Sequence, residues 1–79
     1  MKLYWKNQEL FEPIGEFDTQ QEALRKISDI LDSCRIQADY CRHLMCDEGI
    51  VVDYGSYCNF FYIVADGYQL EDLIQKVGL

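Results

Sequence analysis

The chain has 79 residues, and its 14 acidic residues outnumber seven basic ones, which gives a formal net charge of −7. This length predicts one small domain, residues 1–79, and a hydrophobic content of 49% excludes a disordered chain, which lacks the apolar surface needed to fold. The negative charge repels phosphate groups, so it disfavours direct binding to nucleic acid or to an anionic membrane and favours a protein partner with a basic surface.

The N-terminal segment contains two short apolar pieces, Leu3–Trp5 and Leu10–Phe11. They predict a short strand or a small hairpin with a turn at Asn7. Pro13 excludes a central strand because proline has no backbone N–H to donate to a neighbouring strand. Ile14–Phe17 is expected to lead the chain over the edge of the sheet towards a helix.

The first helix is predicted from a capping pattern and an apolar stripe. Thr19 followed by Glu22 is typical of a helix start, although Asp18 with Gln21 offers the same arrangement one residue earlier. The helix is expected to end between Cys34 and Ile36. The residues predicted to form its apolar face are Ala23, Leu24, Ile27, Ile30, Leu31 and Cys34.

Tyr40–Cys46 fits a strand, with a continuing helix as the alternative. We favour the strand because Asp47–Gly49 would then form a three-residue loop, with Gly49 in the left-handed conformation, that leads into Ile50–Val52.

Two apolar runs, Ile50–Val52 and Phe60–Val64, are rich in β-branched and aromatic residues and flank the polar break Asp53–Tyr57. This pattern predicts a β-hairpin at the centre of the sheet. Asp66–Gly67 then interrupts the chain, and apolar residues at helical spacing in Leu70–Val77 predict a short second helix.

These elements predict an α+β domain with a three-stranded antiparallel sheet and two helices packed on one of its faces, in the order α-β-β-β-α, preceded by a short N-terminal strand or hairpin. From Thr19 to Val77 this order resembles the topology of double-stranded RNA-binding domains. Those domains contact phosphates through lysines at the start of the last helix, whereas the corresponding segment here, Asp66–Asp72, is acidic. The resemblance therefore implies a fold and argues against RNA binding.

A second resemblance is carried by the helix-opening segment Phe17–Leu24 and by Asp53–Ser56 followed by Phe60–Ile63. In these segments the chain resembles small uncharacterised proteins encoded by phages and prophages of Gram-positive bacteria. The resemblance implies an accessory protein of a mobile element, a class that includes acidic inhibitors of host defence that mimic DNA.

The break Asp53–Tyr57 is the most plausible surface site, because an exposed loop with two tyrosines, a carboxylate and a hydroxyl has the composition of a protein-binding surface. Under the alternative interpretation, the polar residues only form a turn and the tyrosines flank the core. Glu16 is a further carboxylate that a basic partner would meet. The predicted binding residues are Asp47, Glu48, Asp53, Tyr54, Ser56, Tyr57, Glu71 and Asp72.

The cysteines and the single histidine raise the possibility of a zinc or thiol site formed by Cys41, His43 and Cys46 with Cys34 or Cys58. The spacing argues against zinc, since a strand would turn Cys46 away from the other two, and buried inert thiols are favoured. Cys41 and His43 also lack a recognisable orienting carboxylate, so catalysis is not predicted. No metal or other cofactor is predicted.

The N-terminal segment has no signal-peptide core and no run is long enough to span a membrane, so the sequence predicts a cytoplasmic protein with reduced thiols. The function that these patterns favour is a non-enzymatic acidic protein-binding module, of the type that includes phage inhibitors of basic host proteins. Two alternatives stay open: a small structural or accessory protein that associates with itself as a homo-oligomer, and the zinc or thiol site.

Overall fold

Five strands and two helices make up the fold of the computed structural model, which describes residues 1–36, 41–55 and 59–78. No helix in these ranges has both the length and the apolar character that a membrane crossing requires. The strands are β1 (Lys2–Asn7), β2 (Leu10–Glu16), β3 (Arg42–Cys46), β4 (Gly49–Asp53) and β5 (Phe60–Val64), and the helices are α1 (Gln20–Ser33) and α2 (Leu70–Val77).

All five strands belong to one antiparallel sheet in the order β2-β1-β5-β4-β3, so the predicted three-stranded sheet is wrong. The N-terminal hairpin joins the sheet through β1, which pairs with β5 from Lys2 opposite Val64 to Lys6 opposite Phe60. Because β5 is buried along almost its whole length, each of its edges needs a neighbouring strand to satisfy its backbone groups. β4 supplies one neighbour and β1 supplies the other.

The predicted departure of the chain from the sheet after Pro13 is also wrong, because β2 continues through Ile14 to Glu16. Pro13 lies opposite Tyr4, directly after a shift in the register between β1 and β2. β2 is the outermost strand, and an edge strand tolerates a residue that has no N–H to donate.

The two helices lie on opposite faces of the sheet, which corrects the prediction that both pack on one face. Ile27 of α1 belongs to one buried cluster, with Val52 and Phe61, whereas Leu73 of α2 belongs to a second, with Val51 and Tyr62. Successive residues of a strand point to opposite faces, so these two clusters lie on the two sides of β4 and β5. Continuous apolar runs such as those of β4 and β5 are typical of strands that are covered on both faces.

The helix ends largely follow the sequence predictions. The Oγ1 atom of Thr19 accepts a hydrogen bond from the backbone N of Glu22 at 3.2 Å, which confirms the predicted cap. α1 ends at Ser33, but Cys34 is exposed and does not belong to the buried face. α2 ends at Val77, and the next residue, Gly78, has a φ of 68°, the left-handed conformation common after a helix.

The strand prediction is confirmed for Arg42–Cys46, while residues 37–40, where its predicted start lies, fall outside the described residues. The loop that follows is shorter than predicted, because only Asp47 and Glu48 separate β3 from β4. Gly49 has the predicted positive φ, at 149°, but it is the buried first residue of β4.

Three aromatic rings pack together on the α1 face of the sheet. Trp5 stacks on Phe61 with ring centroids 5.3 Å apart, and Tyr54 tilts against Phe61 at 5.4 Å. The Nε1 atom of Trp5 donates a hydrogen bond to the hydroxyl of Tyr54 at 3.2 Å. These contacts join β1, β5 and the end of β4 across residues that are distant in the sequence.

The hydroxyl of Tyr62 is fully buried on the α2 face and makes no hydrogen bond to the part of the chain that the structure describes. Burial raises the pKa of Tyr62 above its ordinary value of 10.0, because the phenolate is harder to desolvate than the phenol. The neutral phenol is therefore favoured in the folded state. The raised pKa therefore has no effect on the free energy of unfolding well below the ordinary pKa, and the folded state loses stability as the pH rises from the ordinary pKa through the folded-state pKa.

We expect Tyr62→Phe to raise the free energy of unfolding by about 1 kcal/mol at neutral pH, because it removes a buried hydroxyl without a partner and keeps the ring. Above about pH 10 the gain should grow, since the variant has no buried phenol to ionise. Urea unfolding at pH 7 and pH 10.5 measures both effects. Tyr68→Phe is the control, because Tyr68 is exposed, and equal effects of the two substitutions would contradict the prediction.

Candidate functional site

The strand pairing brings three connections of the chain to one end of the sheet. Lys2 of β1 pairs with Glu16 of β2 and with Val64 of β5, Val64 pairs with Gly49 of β4, and Gly49 pairs with Cys46 of β3. These residues form a row across the sheet. The links from β2 to α1, from β3 to β4 and from β5 to α2 all leave from this row.

Acidic residues are concentrated in this row, in the three connections and in the first turn of α2. We call this set the acidic end. It holds seven of the 14 acidic residues of the chain: Glu16, Asp18, Asp47, Glu48, Asp66, Glu71 and Asp72.

Two of these carboxylates have partners within the chain. The Oδ1 atom of Asp66 lies 2.7 Å from the amino group of Met1, which also donates a hydrogen bond to the carbonyl oxygen of Phe17. The Oδ2 atom of Asp72 accepts a hydrogen bond from the backbone N of Gln69 at 2.9 Å and so caps α2. These two carboxylates therefore help to hold the end of the fold together.

Both helices begin at the acidic end. α1 starts after the link from β2, and α2 starts after the loop from β5. The N-terminus of a helix carries a partial positive charge, which stabilises nearby carboxylates and offsets part of their mutual repulsion. This arrangement explains how a small domain tolerates so many carboxylates at one end.

An open cleft of about 520 Å³ lies within the acidic end, between the turn from β3 to β4 and the start of α2. Glu48, Asp72 and the half-exposed Tyr68 line this cleft, and the Oε1 atom of Glu48 is buried and makes no hydrogen bond within the described residues. The two carboxylates give the cleft negative charge, part of which Lys76 offsets because it also lines the cleft. The lining residues are Glu48, Gly67, Tyr68, Asp72, Gln75 and Lys76.

The structure describes the first three residues of the predicted loop site, Asp53–Gly55. Asp53 is 7% exposed and Tyr54 is 3% exposed, so neither lies on an exposed loop as the sequence suggested. The Oδ1 atom of Asp53 accepts a hydrogen bond from Gly55 N at 3.0 Å, and its Oδ2 atom lies 3.5 Å from Nη2 of Arg42. These two side chains hold the end of β4, whereas Ser56 and Tyr57 lie outside the described residues.

The predicted binding carboxylates Asp47, Glu48, Glu71 and Asp72 are brought together at the acidic end, at the opposite end of the sheet from Asp53. Sequence reasoning did not include Asp18, Asp66 or Tyr68 in the site. A signal for the two aspartates is present in the sequence, because Asp18 precedes the predicted cap of the first helix and Asp66 lies in the short break before the second helix. Only the strand pairing shows that the starts of both helices lie beside the turn from β3 to β4.

The residues of the alternative zinc or thiol site point in different directions. His43 and Cys46 lie on opposite faces of β3, and the Sγ atom of Cys46 donates a hydrogen bond to the carbonyl oxygen of Gly49. Cys34 and Cys41 are exposed, so the prediction of buried thiols is wrong for these two, and Cys58 lies outside the described residues. Among the residues that the structure describes, no group of three or more His, Cys, Asp or Glu side chains is arranged to hold a metal ion.

Comparison with known proteins identifies no relative: no protein-family model matches the chain, and no curated protein or solved structure is significantly similar to it.

Proposed function

We propose that the protein is a non-enzymatic binding module that presents its acidic end to a basic surface of a partner protein. The uneven distribution of charge is the observation that carries this proposal. Seven carboxylates gather at one end, beside two basic side chains, Lys2 and Lys76. In the row at the opposite end, among the described residues, Lys6 and Arg42 are accompanied by one carboxylate, that of Asp53. Such a separation orients an approaching basic partner towards the acidic end.

The cleft supports a lysine or arginine side chain as the group that is recognised. The carboxylates of Glu48 and Asp72 both line the cleft, and their negative charge attracts such a cation. Tyr68 presents an aromatic ring at the same cleft, which favours a guanidinium group through cation–π contact. Arginine satisfies these requirements better than lysine, because its guanidinium group is planar and has several donors.

On the basis of the resemblance to phage and prophage proteins, we propose that the module is an inhibitor that covers the nucleic-acid site of a basic host protein. A surface of carboxylates competes there with phosphate groups for the same arginines and lysines. The net charge of −7 supports this mode of action, because it speeds the encounter with a basic protein.

Neutralising the acidic end is expected to weaken binding to a basic probe much more than neutralising carboxylates elsewhere. The probe is a ten-residue arginine peptide, and its affinity is measured by calorimetry at about 50 mM and about 300 mM salt. We expect the acidic-end variant to lose affinity about tenfold or more at the lower salt concentration. This variant carries Glu16→Gln, Asp47→Asn, Glu48→Gln and Glu71→Gln.

The matched control removes the same number of charges from exposed positions away from the acidic end, so the formal net charge changes from −7 to −3 in both variants. It should lose about threefold or less. Equal losses would show that only net charge attracts the peptide and would reject the acidic end as a site, as would a wild-type protein that does not bind at the lower salt concentration. The control carries Glu9→Gln, Glu12→Gln, Asp29→Asn and Asp32→Asn.

A further inference from the structure

The outer edge of β3 has no neighbouring strand among residues 1–36, 41–55 and 59–78. β3 is five residues long and pairs with β4 in an uninterrupted register, from Arg42 opposite Asp53 to Cys46 opposite Gly49. The unpaired N–H and C=O groups of such a strand are a template on which another strand can add.

The two edges of the sheet differ in how they are protected. β2 contains Pro13, faces a register shift in β1 and carries the acidic residues Glu12 and Glu16. Proline, irregular pairing and charge are features that prevent one edge strand from pairing with another. β3 has no proline and no register shift, and its charged residue, Arg42, lies at its first position, so this edge is less protected than the β2 edge.

The side chains of β3 are also suited to an interface. Met45 is 67% exposed on the α1 face, and Leu44 is half-buried on the α2 face. The helices pack mainly over the central strands, α1 against β5 and α2 against β4 and β5. Within the described residues, a second strand can therefore approach β3 without meeting a helix.

We propose that β3 pairs with β3 of a second copy of this chain, antiparallel about a two-fold axis, to form a continuous ten-stranded sheet. The charges at the two ends of β3 favour a second copy of this chain as the partner, and they favour antiparallel pairing over parallel pairing. Arg42 lies at one end of β3, and Asp47 and Glu48 follow directly after the other end. Antiparallel pairing places Arg42 of each copy beside Asp47 and Glu48 of the other, whereas parallel pairing would place like charges side by side.

Antiparallel pairing separates the acidic ends of the two copies. Because the two copies run in opposite directions, their acidic ends lie at opposite ends of the joined sheet, each next to Arg42 of the other copy. The dimer therefore presents two separate acidic surfaces. The interface is one strand pair with the apolar contacts of Leu44 and Met45, smaller than a standard protein interface, so its dissociation constant is expected in the micromolar range.

Sedimentation equilibrium of the full chain from about 5 μM to about 1 mM tests the proposal, and the wild type is expected to form dimers within this range. Met45→Lys should leave the protein monomeric, since a lysine on an edge strand opposes strand addition. Leu10→Lys is the matched control: Leu10 is 76% exposed on the opposite edge strand, and its replacement should leave the dimer intact. A monomeric wild type, or a dimer equally weakened by both substitutions, overturns the proposal.

Charge reversal distinguishes the antiparallel pairing from general repulsion between acidic chains. Asp47→Lys and Glu9→Lys each change the formal net charge from −7 to −5, which by itself would strengthen self-association. Asp47→Lys should nevertheless raise the dissociation constant about tenfold, because it faces Arg42 twice in the symmetric dimer, whereas Glu9→Lys should leave it unchanged or lower it. Circular dichroism confirms that each variant is folded, and a dimer strengthened by Asp47→Lys would overturn the antiparallel pairing.

Discussion

Replacing Gly49 with alanine is expected to unfold the domain or to lower its free energy of unfolding by about 3 kcal/mol or more. A Cβ atom at this position would lie 2.1 Å from the backbone carbonyl oxygen of Ile63 and 3.1 Å from Cδ2 of Leu73. The oxygen belongs to β5, so relief of the clash requires β4 and β5 to separate. The φ of +149° is a second obstacle, because side chains disfavour it.

Gly67→Ala is the control for this experiment. Gly67 also has a positive φ, +88°, but a Cβ atom there would have no described atom within 4 Å apart from those of its chain neighbours. The substitution should therefore lower the free energy of unfolding only by the backbone strain, about 1 to 2 kcal/mol. Urea unfolding followed by Trp5 fluorescence measures both variants. Equal losses of stability would show that backbone conformation, and not the close approach of β5, requires glycine at residue 49.

Leu73→Ala is expected to lower the free energy of unfolding by about 2 to 5 kcal/mol. Leu73 is fully buried against Val51, Tyr62 and Val64, and its truncation leaves a cavity between α2 and the sheet. A helix of eight residues is unstable alone, so the loss of this contact should also release α2. Hydrogen exchange should then be faster in Leu70–Val77 than in α1.

Leu10→Ala gives the comparison for a leucine whose side chain is exposed, and its effect should stay within about 0.5 kcal/mol. A loss of stability from Leu73→Ala as small as that from Leu10→Ala would contradict the docking of α2 on this face. Exchange that accelerates more in α1 than in α2 would contradict the release of α2, because the loss of global stability alone speeds exchange in both helices.

The candidate site could be predicted only in part. The acidic character was evident from composition. Four of the carboxylates predicted to bind a partner lie together at the acidic end, and their role in binding stays a prediction: Asp47, Glu48, Glu71 and Asp72. Asp53 was wrongly predicted to lie on an exposed loop. A carboxylate in a glycine-containing break is as compatible with a surface turn as with a buried contact to Arg42. Nothing in the local pattern identifies that ion pair.

The sequence contains a pattern that predicts helices on opposite faces of the sheet, although we had predicted both on one face. Ile50–Val52 and Phe60–Val64 are apolar at successive positions, a pattern that requires cover on both faces of the sheet. The joining of β1 to β5 had no such signal. Leu3–Trp5 is a short apolar piece beside a lysine, and local patterns do not specify which edge of a sheet an N-terminal hairpin will join.

By itself the sequence determined the local elements: the Thr19 cap, the strands Arg42–Cys46 and Phe60–Val64, the helix before Gly78 and the acidic balance of the chain. These features depend on neighbouring residues, on helical or alternating periodicity and on composition. Only the tertiary structure decided the five-stranded order, the separation of α1 from α2, the burial of Asp53 and Tyr54, and the gathering of distant carboxylates at one end. These features depend on pairing between segments that are far apart in the chain, where burial of whole faces outweighs local preference.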